Sequence, residues 1–442
     1  MSCDSRVGRN QFAYRGQRGS RDAIAYLTLK WLDLLRLGNK IAVYLSDVSG
    51  AFDKVDSDRL IKKQEHKGLG VKMTKVIRSW LQRRRATVVV SGQKSRSLLL
   101  QNQVFQGTVF GPPLWNQFFS DAAVPLKQSG YTEVVYADDL NAFKAFQSKT
   151  DNASIDADLR ATQRKLHSWG RANQVKFDEG KEGFAILSKR RGHAAGADFR
   201  ILGITFDKSL TMASAIEELV KDCKWKIRSL LRCQRHFDIA GTVSLFKGRV
   251  LPFIEHRTSA IYHAADYLTE RVDSIQRHFL DRLGITEREA LFDYGLAPLR
   301  VRRDIGLLGL IHRTVLGLGV RHFCEFFYLS GAAPPAGNWE KHNRQLHEFR
   351  ADESTNSMGY FFGSGRGEAQ KFVTCSALGL VSVYNHLPKS IVEGATTVCQ
   401  FQSYLQDLVK QRAAAGHDDW QLVLSPRVSW RHHPLVHLLE GR

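Results

Sequence analysis

The chain has 442 residues, of which 43% are hydrophobic and 24% charged, and this balance is typical of a globular protein and excludes a disordered one. Lysine and arginine number 64 against 44 aspartates and glutamates, so the net charge of +20 predicts a polyanionic partner. The sequence has no apolar run of about 18 residues, and residues 1–10 lack the apolar core of a signal peptide. It therefore predicts no membrane partner and an intracellular protein, cytoplasmic or nuclear.

The chain begins with a polar stretch, residues 1–11, that we expect to be disordered. A helix should follow, because Ser20 is a good N-cap and apolar residues recur behind it at helical spacing. The apolar face of this helix contains Ala23, Ile24, Leu27, Trp31 and Leu34.

Residues 41–45 (IAVYL) form a buried-strand pattern that ends at Asp47. This places a carboxylate at a strand end, although such an aspartate could instead cap a helix or lie on the surface. Asp56 should cap a helix that ends near Gly68. A second helix is predicted over 71–85, followed by a hairpin of 86–92 with 97–104 that turns at 92–95.

Residues 104–116 (VFQGTVFGPPLWN) cannot continue a helix, because glycine costs about 1 kcal/mol and proline about 3 kcal/mol inside one. The stretch predicts a loop at Gln106 and Gly107, then a helix entered at Pro112 or Pro113. Asn116 lies on that helix among aromatic residues, where an asparagine is usually a buried hydrogen-bonding residue.

The most informative stretch is Tyr136-Ala137-Asp138-Asp139. The aromatic and β-branched run 131–136 and the alternating run 140–146 predict a hairpin with two adjacent carboxylates at its tip. Such carboxylates repel each other unless a cation lies between them, so the pair indicates a divalent metal site, which Asp47 could complete from a neighbouring strand. A solvated Asp-rich turn is the structural alternative.

Helices dominate the rest of the chain. Residues 151–173 form an amphipathic pattern capped by Asp151 or Ser154, and Lys181 follows in a lysine-rich loop. Beyond residue 209 a long helix combines an apolar stripe with a basic face suited to a nucleic-acid backbone. That face consists of Lys221, Lys224, Lys226, Arg228, Arg232 and Arg235.

Cysteine and histidine usage predicts neither zinc nor a disulfide framework. The six cysteines form no Cys-x-x-Cys pair and no Cys/His spacing typical of zinc sites. Near the C-terminus, His432, His433 and His437 have no cysteine partners, so we expect them on the surface or in the tail.

Five blocks in order resemble the active-site series of a reverse transcriptase, closest to the non-LTR (LINE-type) retrotransposon family: DVSGAFD, QGTVFGPPLWN, YADD, LHSWGRANQVKFDEGKEGFAILSK and FRILGITFD. The resemblance implies an α+β fold, namely a right-hand polymerase palm with a ferredoxin-like antiparallel sheet and helices behind it. Partial fingers, a helical thumb and a mostly helical C-terminal region should accompany the palm.

The resemblance also implies a division of the chain. It places partial fingers at 12–40, the palm with a fingers insertion at 41–206, the thumb at 207–290, a helical post-thumb region at 291–329, a Gly/Pro linker at 330–338 and a C-terminal region at 339–442. Members of this family normally carry an earlier fingers segment and often an endonuclease. We therefore expect the sequence to be truncated before both.

Site residues are implied by position in the same motifs. Asp47, Asp138 and Asp139 should bind two Mg²⁺ ions, with Mn²⁺ as an alternative, for nucleotidyl transfer. Phe52 should screen the sugar of the incoming nucleotide, and Gln106 and Gly107 should line the nucleotide pocket. Tyr136 should support the primer end, and Lys181 should protonate the leaving pyrophosphate. Arg15 and Arg18 should lie beside the template and the nucleotide. The alternative for Phe52 is a position in the core, and the alternative for Lys181 is a solvated side chain.

The resulting hypothesis is an RNA-directed DNA polymerase that binds an RNA template, a DNA primer, their duplex and deoxynucleotide triphosphates. The alternative is a catalytically inactive, retroelement-derived protein that only binds nucleic acid. An RNA polymerase of the same palm type is less favoured, because Tyr136-Ala137 stands where a glycine should precede the two aspartates. The sequence specifies neither host, template, target site, oligomeric state, expression nor the role of 291–442.

Overall fold

The computed structural model of the protein describes residues 7–100, 102–178, 180–190, 192–331, 342–347 and 374–436. These residues form two compact units. The first comprises the described parts of Met1–Ala23, Lys40–Leu187 and Gly192–Gly196, and the second those of Ile24–Asn39, Ser188–Arg191 and Ala197–Arg442. None of the described helices is long and apolar enough to cross a membrane.

Through residue 187 helices and strands are mixed. In chain order the elements are α1 (Ser20–Arg36), β1 (Lys40–Ser46), α2 (Ser57–His66), α3 (Val71–Leu81), β2 (Arg84–Ala86), β3 (Val89–Val90), β4 (Gln93–Lys94), β5 (Leu98–Leu100), α4 (Gly111–Phe119), α5 (Ala123–Gln128), β6 (Thr132–Tyr136), β7 (Asp139–Phe146), α6 (Asn152–Asn173) and β8 (Gly183–Leu187).

The central sheet of the first unit has four antiparallel strands in the order β6-β7-β1-β8. Helices α2 to α5 separate β1 from β6, and α6 separates β7 from β8. This is the strand–helix–strand–strand–helix–strand arrangement of a ferredoxin-like sheet. The α+β class predicted from the sequence is confirmed.

The core of this unit lies between the sheet and its helices. Every residue of β1 is buried, as expected for a central strand. Tyr44 from β1 joins one cluster with Trp115 and Phe118 from α4 and with Leu159 and Leu166 from α6. The caps of α2 and α6 are the predicted ones, because the Asp56 carboxylate accepts from the Arg59 N–H and the Asp151 carboxylate from the Ser154 N–H.

The second unit is mainly helical. After a hairpin of β9 (Phe199–Ile201) and β10 (Ile204–Phe206) its helices are α7 (Ala213–Arg232), α8 (Ile239–Arg249), α9 (Leu251–Glu255), α10 (Thr258–Ile261), α11 (Asp266–Leu283), α12 (Glu287–Asp293), α13 (Leu299–Val315), α14 (Leu380–His386), α15 (Lys389–Gly394) and α16 (Val398–Ala414). The buried stripe of α7 includes Ile216, Leu219 and Cys223, while Lys221 and Lys224 are exposed.

Two predicted domain boundaries differ from the compact units. Residues Ile24–Asn39 belong to the second unit, although the sequence assigned 12–40 to the fingers. The reason is packing, since the centre of the Trp31 ring lies 6.0 Å from the centre of the Phe199 ring and 5.5 Å from that of Phe206. The β9–β10 hairpin, assigned to the palm, lies in that unit for the same reason. The compact units do not identify fingers, palm or thumb, so all of the predicted domain boundaries stay predictions.

Three local expectations also need correction. Helix α3 ends at Leu81 and not at Arg85, because residues 84–86 pair with β5 as strand β2. His433, expected at the surface, is fully buried, and its Nε2 lies 3.0 Å from the Ser425 carbonyl oxygen. Residues 10 and 11, expected to be disordered, pair with β6. The predictions for residues 1–6, for 332–338 of the linker and for His437 lie outside the described residues.

Candidate active site

The two adjacent aspartates lie at the tip of the β6–β7 hairpin. Tyr136 pairs with Asp139 at the last rung, so Ala137 and Asp138 form the turn. Ala137 has a φ of +60°, a left-handed conformation that is unfavourable for a residue with a Cβ. Such a turn persists only where the surroundings fix it.

A side-chain clamp holds this turn. The Gln11 amide accepts from the Ala137 N–H at 2.9 Å and donates to the Ala137 carbonyl oxygen at 3.0 Å. The Trp115 indole N–H donates to the same oxygen at 3.0 Å. Both backbone polar groups of the strained residue are therefore satisfied inside the protein. Sequence reasoning missed Gln11, because its partner is 126 residues away and no local pattern marks the contact.

The third carboxylate, Asp47, follows β1 directly. The last rung of β1 with β7 joins Ser46 to Leu140, so Asp47 continues the strand beside Asp139. A second connection fixes the Asp47 backbone, because its carbonyl oxygen accepts from the Asp178 N–H at 2.9 Å. The fold thus brings Asp47, Asp138 and Asp139 to one edge of the sheet.

The electrostatics of the site show that these carboxylates act on one another. Burial raises the pKa of Asp138, and the negative charge of Asp47 raises it further. Burial, Asp138 and Asp47, in that order, raise the pKa of Asp139 to about 6. Lys181 opposes both shifts. Ionising all of these carboxylates together is therefore unfavourable, and a bound cation would relieve their repulsion.

Lys181 is the cation nearest to Asp47 in this structure. Its Nζ lies 2.5 Å from Asp47 Oδ2 and 3.9 Å from Asp178, although the lysine side chain is 66% exposed. No three His, Cys, Asp or Glu side chains in the described ranges converge closely enough to hold a metal ion. The donor set still fits a divalent cation, because hard carboxylate oxygens under mutual repulsion are suitable ligands.

Phe52 lies beside these residues in a short 3₁₀ turn, Phe52–Lys54. Its ring stacks on Trp115 at 5.7 Å and meets the edge of Tyr14 at 6.4 Å. Burial raises the pKa of Tyr14, and the charge of Asp138 raises it further, so Tyr14 also lies close to the hairpin turn. Phe52 is half-buried and not a full core residue.

The Gln106-Gly107 loop is exposed, and none of its hydrogen bonds in the described part of the chain reaches the three carboxylates. Gly107 has a φ of +80°, which favours glycine. Gly111, at the start of α4, is needed for close packing, because an added Cβ would lie 2.7 Å from the Phe105 carbonyl oxygen. Asn116 is buried and donates to the Ala13 carbonyl oxygen at 3.0 Å, as the structural interpretation predicts.

The two predicted arginines hold the segment that carries Gln11. Arg15 donates to the Gly8 carbonyl oxygen at 2.8 Å, and Arg18 donates to the Arg9 carbonyl oxygen at 2.6 Å. Both side chains are half-buried. In this structure the arginines therefore stabilise the backbone before the clamp, and their predicted contacts with template and nucleotide stay predictions.

The raised pKa of Asp139 predicts a pH dependence of stability without added metal. The pKa of an aspartate in an unfolded chain is about 3.9. Ionising Asp139 therefore lowers the free energy of unfolding by about 1 kcal/mol after allowance for solvent screening. Stability contributed by Asp139 is therefore fully present below the unfolded pKa and lost as pH rises through about 6. The free energy of unfolding in urea, measured at pH values on either side of this window, should fall less with rising pH in Asp139→Asn than in the unmodified chain. Equal losses in both proteins would contradict the prediction.

Comparisons with known proteins support the predicted resemblance. Residues 2–206 match the family model described as reverse transcriptase (RNA-dependent DNA polymerase). The chain is 23% identical over 295 residues to the RNA-directed DNA polymerase from mobile element jockey of Drosophila melanogaster, which covers 62% of this chain and 31% of the relative. The Drosophila funebris relative of the same description is 23% identical over 293 residues, with the same coverage.

The chain spans about a third of the length of these curated relatives. Among solved structures it is similar to apo telomerase from Candida tropicalis at a TM-score of 0.35 and 12% identity, covering 63% of this chain and 51% of that one. The family match covers every residue of the candidate active site. The sequence of residues 2–206 is therefore similar to that of the reverse transcriptase (RNA-dependent DNA polymerase) family.

Proposed function

We propose that the chain is the polymerase core of a non-LTR retrotransposon reverse transcriptase, adding deoxynucleotides to a primer 3′ end on an RNA template. The observation that carries the proposal is that Asp47, Asp138 and Asp139 lie at one edge of the sheet, where burial and then the charges of Asp138 and Asp47 raise the pKa of Asp139 to about 6. Packing alone gives no reason for three repelling carboxylates. The family match and the description of the jockey relatives support the same reaction.

The carboxylates are suited to hold the divalent ions that the family generally uses. We propose Asp47, Asp138 and Asp139 as the ligands and two Mg²⁺ ions, or Mn²⁺ in their place, as the occupants. Bound there, such ions would activate the primer 3′ oxygen and neutralise the leaving pyrophosphate. Tyr136, paired with Asp139 at the end of β6, would support the primer end.

Lys181 would act on the leaving group. Its ammonium lies 2.5 Å from Asp47, and the pKa of this lysine is raised chiefly by its hydrogen bond to that carboxylate. An exposed lysine at this point can turn from Asp47 toward a departing phosphate and donate a proton to it. Gln106, Gly107, Arg15 and Arg18 remain proposed contacts of the nucleotide and template.

Nucleic acid is the proposed partner of the whole chain. The net charge of +20 provides an attraction for phosphate, and the exposed Lys221, Lys224 and Arg228 of α7 provide one basic face. An RNA template, a DNA primer and their duplex are the proposed ligands, together with deoxynucleotide triphosphates. We place this activity inside the cell, where such templates occur.

Primer extension tests the proposal directly. The purified chain should extend a DNA primer on an RNA template with deoxynucleotides and Mg²⁺, and should add nothing when the template is omitted or Mg²⁺ is chelated. Extension without template would instead indicate untemplated transfer. Salt-dependent duplex binding without extension under any divalent ion would contradict the proposal in favour of a protein that only binds nucleic acid.

Phe52 offers a test of sugar selection. Removing its ring in Phe52→Ala should open space for a 2′-hydroxyl, so we expect the preference for deoxynucleotides over ribonucleotides to fall about 10- to 100-fold. Competing the two nucleotide types in single-nucleotide addition measures this ratio. Phe292→Ala, which truncates a partly exposed phenylalanine of the second unit, is the matched control. An unchanged ratio in Phe52→Ala would assign that ring to packing against Trp115 alone.

A further inference from the structure

Helix α6 presents a row of basic side chains along one face. Arg160, Arg164, His167 and Arg171 follow each other at intervals of four, three and four residues, which places them on one side of a helix. The row extends over about 16 Å at the usual helical rise. Together with Phe184 of β8 these residues line a groove of about 580 Å³, which we call the basic groove.

Two acidic groups lie near the basic groove, and both are already paired. The Glu182 side chain is only 4% exposed, and it accepts from the Tyr44 hydroxyl at 2.5 Å and the Gln163 amide at 2.7 Å and contacts His167 Nε2 at 2.9 Å. Asp156 pairs with Arg160 at 2.7 Å. Neither carboxylate is therefore available to neutralise the rest of the row.

The two other arginines have no such partner. Arg164 and Arg171 are exposed, and neither side chain forms an ion pair or a hydrogen bond with another residue in the part of the chain that the structure describes. The Arg160 guanidinium lies 5.5 Å from the centre of the Phe184 ring, so a flat apolar surface adjoins the cations. Nothing in the packing of α6 requires this arrangement, because its buried residues are Ile155, Leu159, Thr162, Leu166 and Gly170.

We propose that the basic groove binds the phosphate backbone of a single nucleic-acid strand at a place separate from the three carboxylates. Guanidinium groups match phosphate oxygens in geometry, and three arginines spread over about 16 Å of one helix face suit a polyanion better than a single small anion. A single row of cations beside an aromatic ring is typical of single-strand sites, whereas a duplex presents two backbones.

The position of the groove relative to the candidate active site supports this partner. Glu182 lines the groove, and its neighbour Lys181 contacts Asp47. A strand that leaves the carboxylates along this loop can therefore continue into the groove. The choice of nucleic acid rests on the proposed polymerase function, and the contacts would position the strand without reading its sequence.

The test compares two double variants of the full chain. Arg164→Gln with Arg171→Gln removes two cations from the groove, and Lys149→Gln with Lys165→Gln removes two exposed cations outside it. Binding of a fluorescent, unstructured RNA of about 30 nucleotides, and of DNA of the same sequence, is followed by anisotropy over a range of salt. Thermal unfolding and extension of a short primer–template should be unchanged in both variants.

The expected result is a change in salt dependence. Each lost phosphate contact on a single strand reduces the slope of log K against log salt by about 0.7, so the groove variant should lose about 1.4 and bind about tenfold more weakly at moderate salt. The control variant should keep the slope of the unmodified chain. Equal slopes in the two variants would overturn the proposal.

Three further outcomes separate the possible sources of failure. If poly-glutamate competes with the RNA as well as unlabelled RNA does, and only when the groove is intact, the groove takes an acidic polypeptide and the proposal is wrong. If the chain shows no polymerase activity while the slope still falls in the groove variant, the groove proposal holds and the polymerase proposal fails. If the chain is an active polymerase and the slope is unchanged, the polymerase proposal holds and the groove proposal fails.

Discussion

Asp138→Asn should reduce the rate of nucleotide addition by about 10³-fold or more. The substitution keeps the size of the side chain and removes a negative charge from the tip of the β6–β7 hairpin, where burial and then the charge of Asp47 raise the pKa of Asp138. Loss of one electrostatic contact to a transition state typically costs about 10²–10³ in rate, and a metal ligand should cost at least as much. Single-turnover primer extension measures the change without interference from product release.

A matched variant separates charge loss at the site from charge loss nearby. Asp53→Asn makes the same change six positions beyond Asp47. The Asp53 side chain is exposed and forms no ion pair with another described residue. We expect it to retain the full rate, and Asp138→Asn to bind a primer–template duplex normally. Retention of more than about a tenth of the rate in Asp138→Asn would remove that residue from the catalytic set.

Gln11→Ala should lower kcat by about 10²-fold while leaving KM nearly unchanged. The Gln11 amide satisfies both the N–H and the carbonyl oxygen of Ala137, a buried residue held at a φ of +60°. Without it the turn relaxes and moves Asp138 and Asp139, and a displacement of about 1 Å at reacting groups can cost about 10²-fold. Leaving the buried Ala137 N–H without a partner should also cost about 1–3 kcal/mol of unfolding free energy, while the Ala137 carbonyl oxygen keeps its bond from Trp115.

Two further variants test whether Gln11 acts by positioning the turn. Trp115→Phe keeps an aromatic ring beside Phe52 but removes the N–H bond to the Ala137 carbonyl and part of the buried indole. The Gln11 clamp stays in place, so the effect on kcat should be smaller than that of Gln11→Ala. Gln147→Ala changes an exposed glutamine of the same unit and should change neither quantity. A Gln11→Ala protein that is destabilised but has normal kcat would assign the clamp to stability alone.

The parts of the fold that follow from local patterns could be predicted from the sequence. The aromatic and β-branched run before Asp138 and Asp139 and the alternating run after them predicted the hairpin, and the structure has the two aspartates at its tip. The buried run before Asp47 predicted β1, which occupies the middle of the sheet. Capping chemistry predicted Asp151 or Ser154 as the cap of α6, and the structure has Asp151, because an N-cap is a contact between residues that are three apart.

The parts that depend on distant partners could not be predicted in this way. Polarity made residues 8–11 look disordered, yet Phe12 N–H bonds to the Val135 carbonyl oxygen and Gln11 reaches Ala137, and no local pattern records these contacts. Trp31 was correctly placed on an apolar helix face, but periodicity does not say that its neighbours are Phe199 and Phe206. His433 is buried by nearer contacts, since its ring stacks on Trp430 at 4.2 Å, and its lack of cysteine partners gave no information on such packing.

The sharpest test of the proposed metal site is to locate divalent ions in crystals of the chain grown with Mn²⁺, a terminated primer on an RNA template and a deoxynucleotide triphosphate. We expect two anomalous scattering peaks about 3.5–4 Å apart, ligated by Asp47 and Asp138, with Lys181 turned away from Asp47. Mn²⁺ bound elsewhere, or Asp47 and Asp138 carboxylates more than roughly 8 Å apart around the bound nucleotide, would contradict the proposed two-ion mechanism.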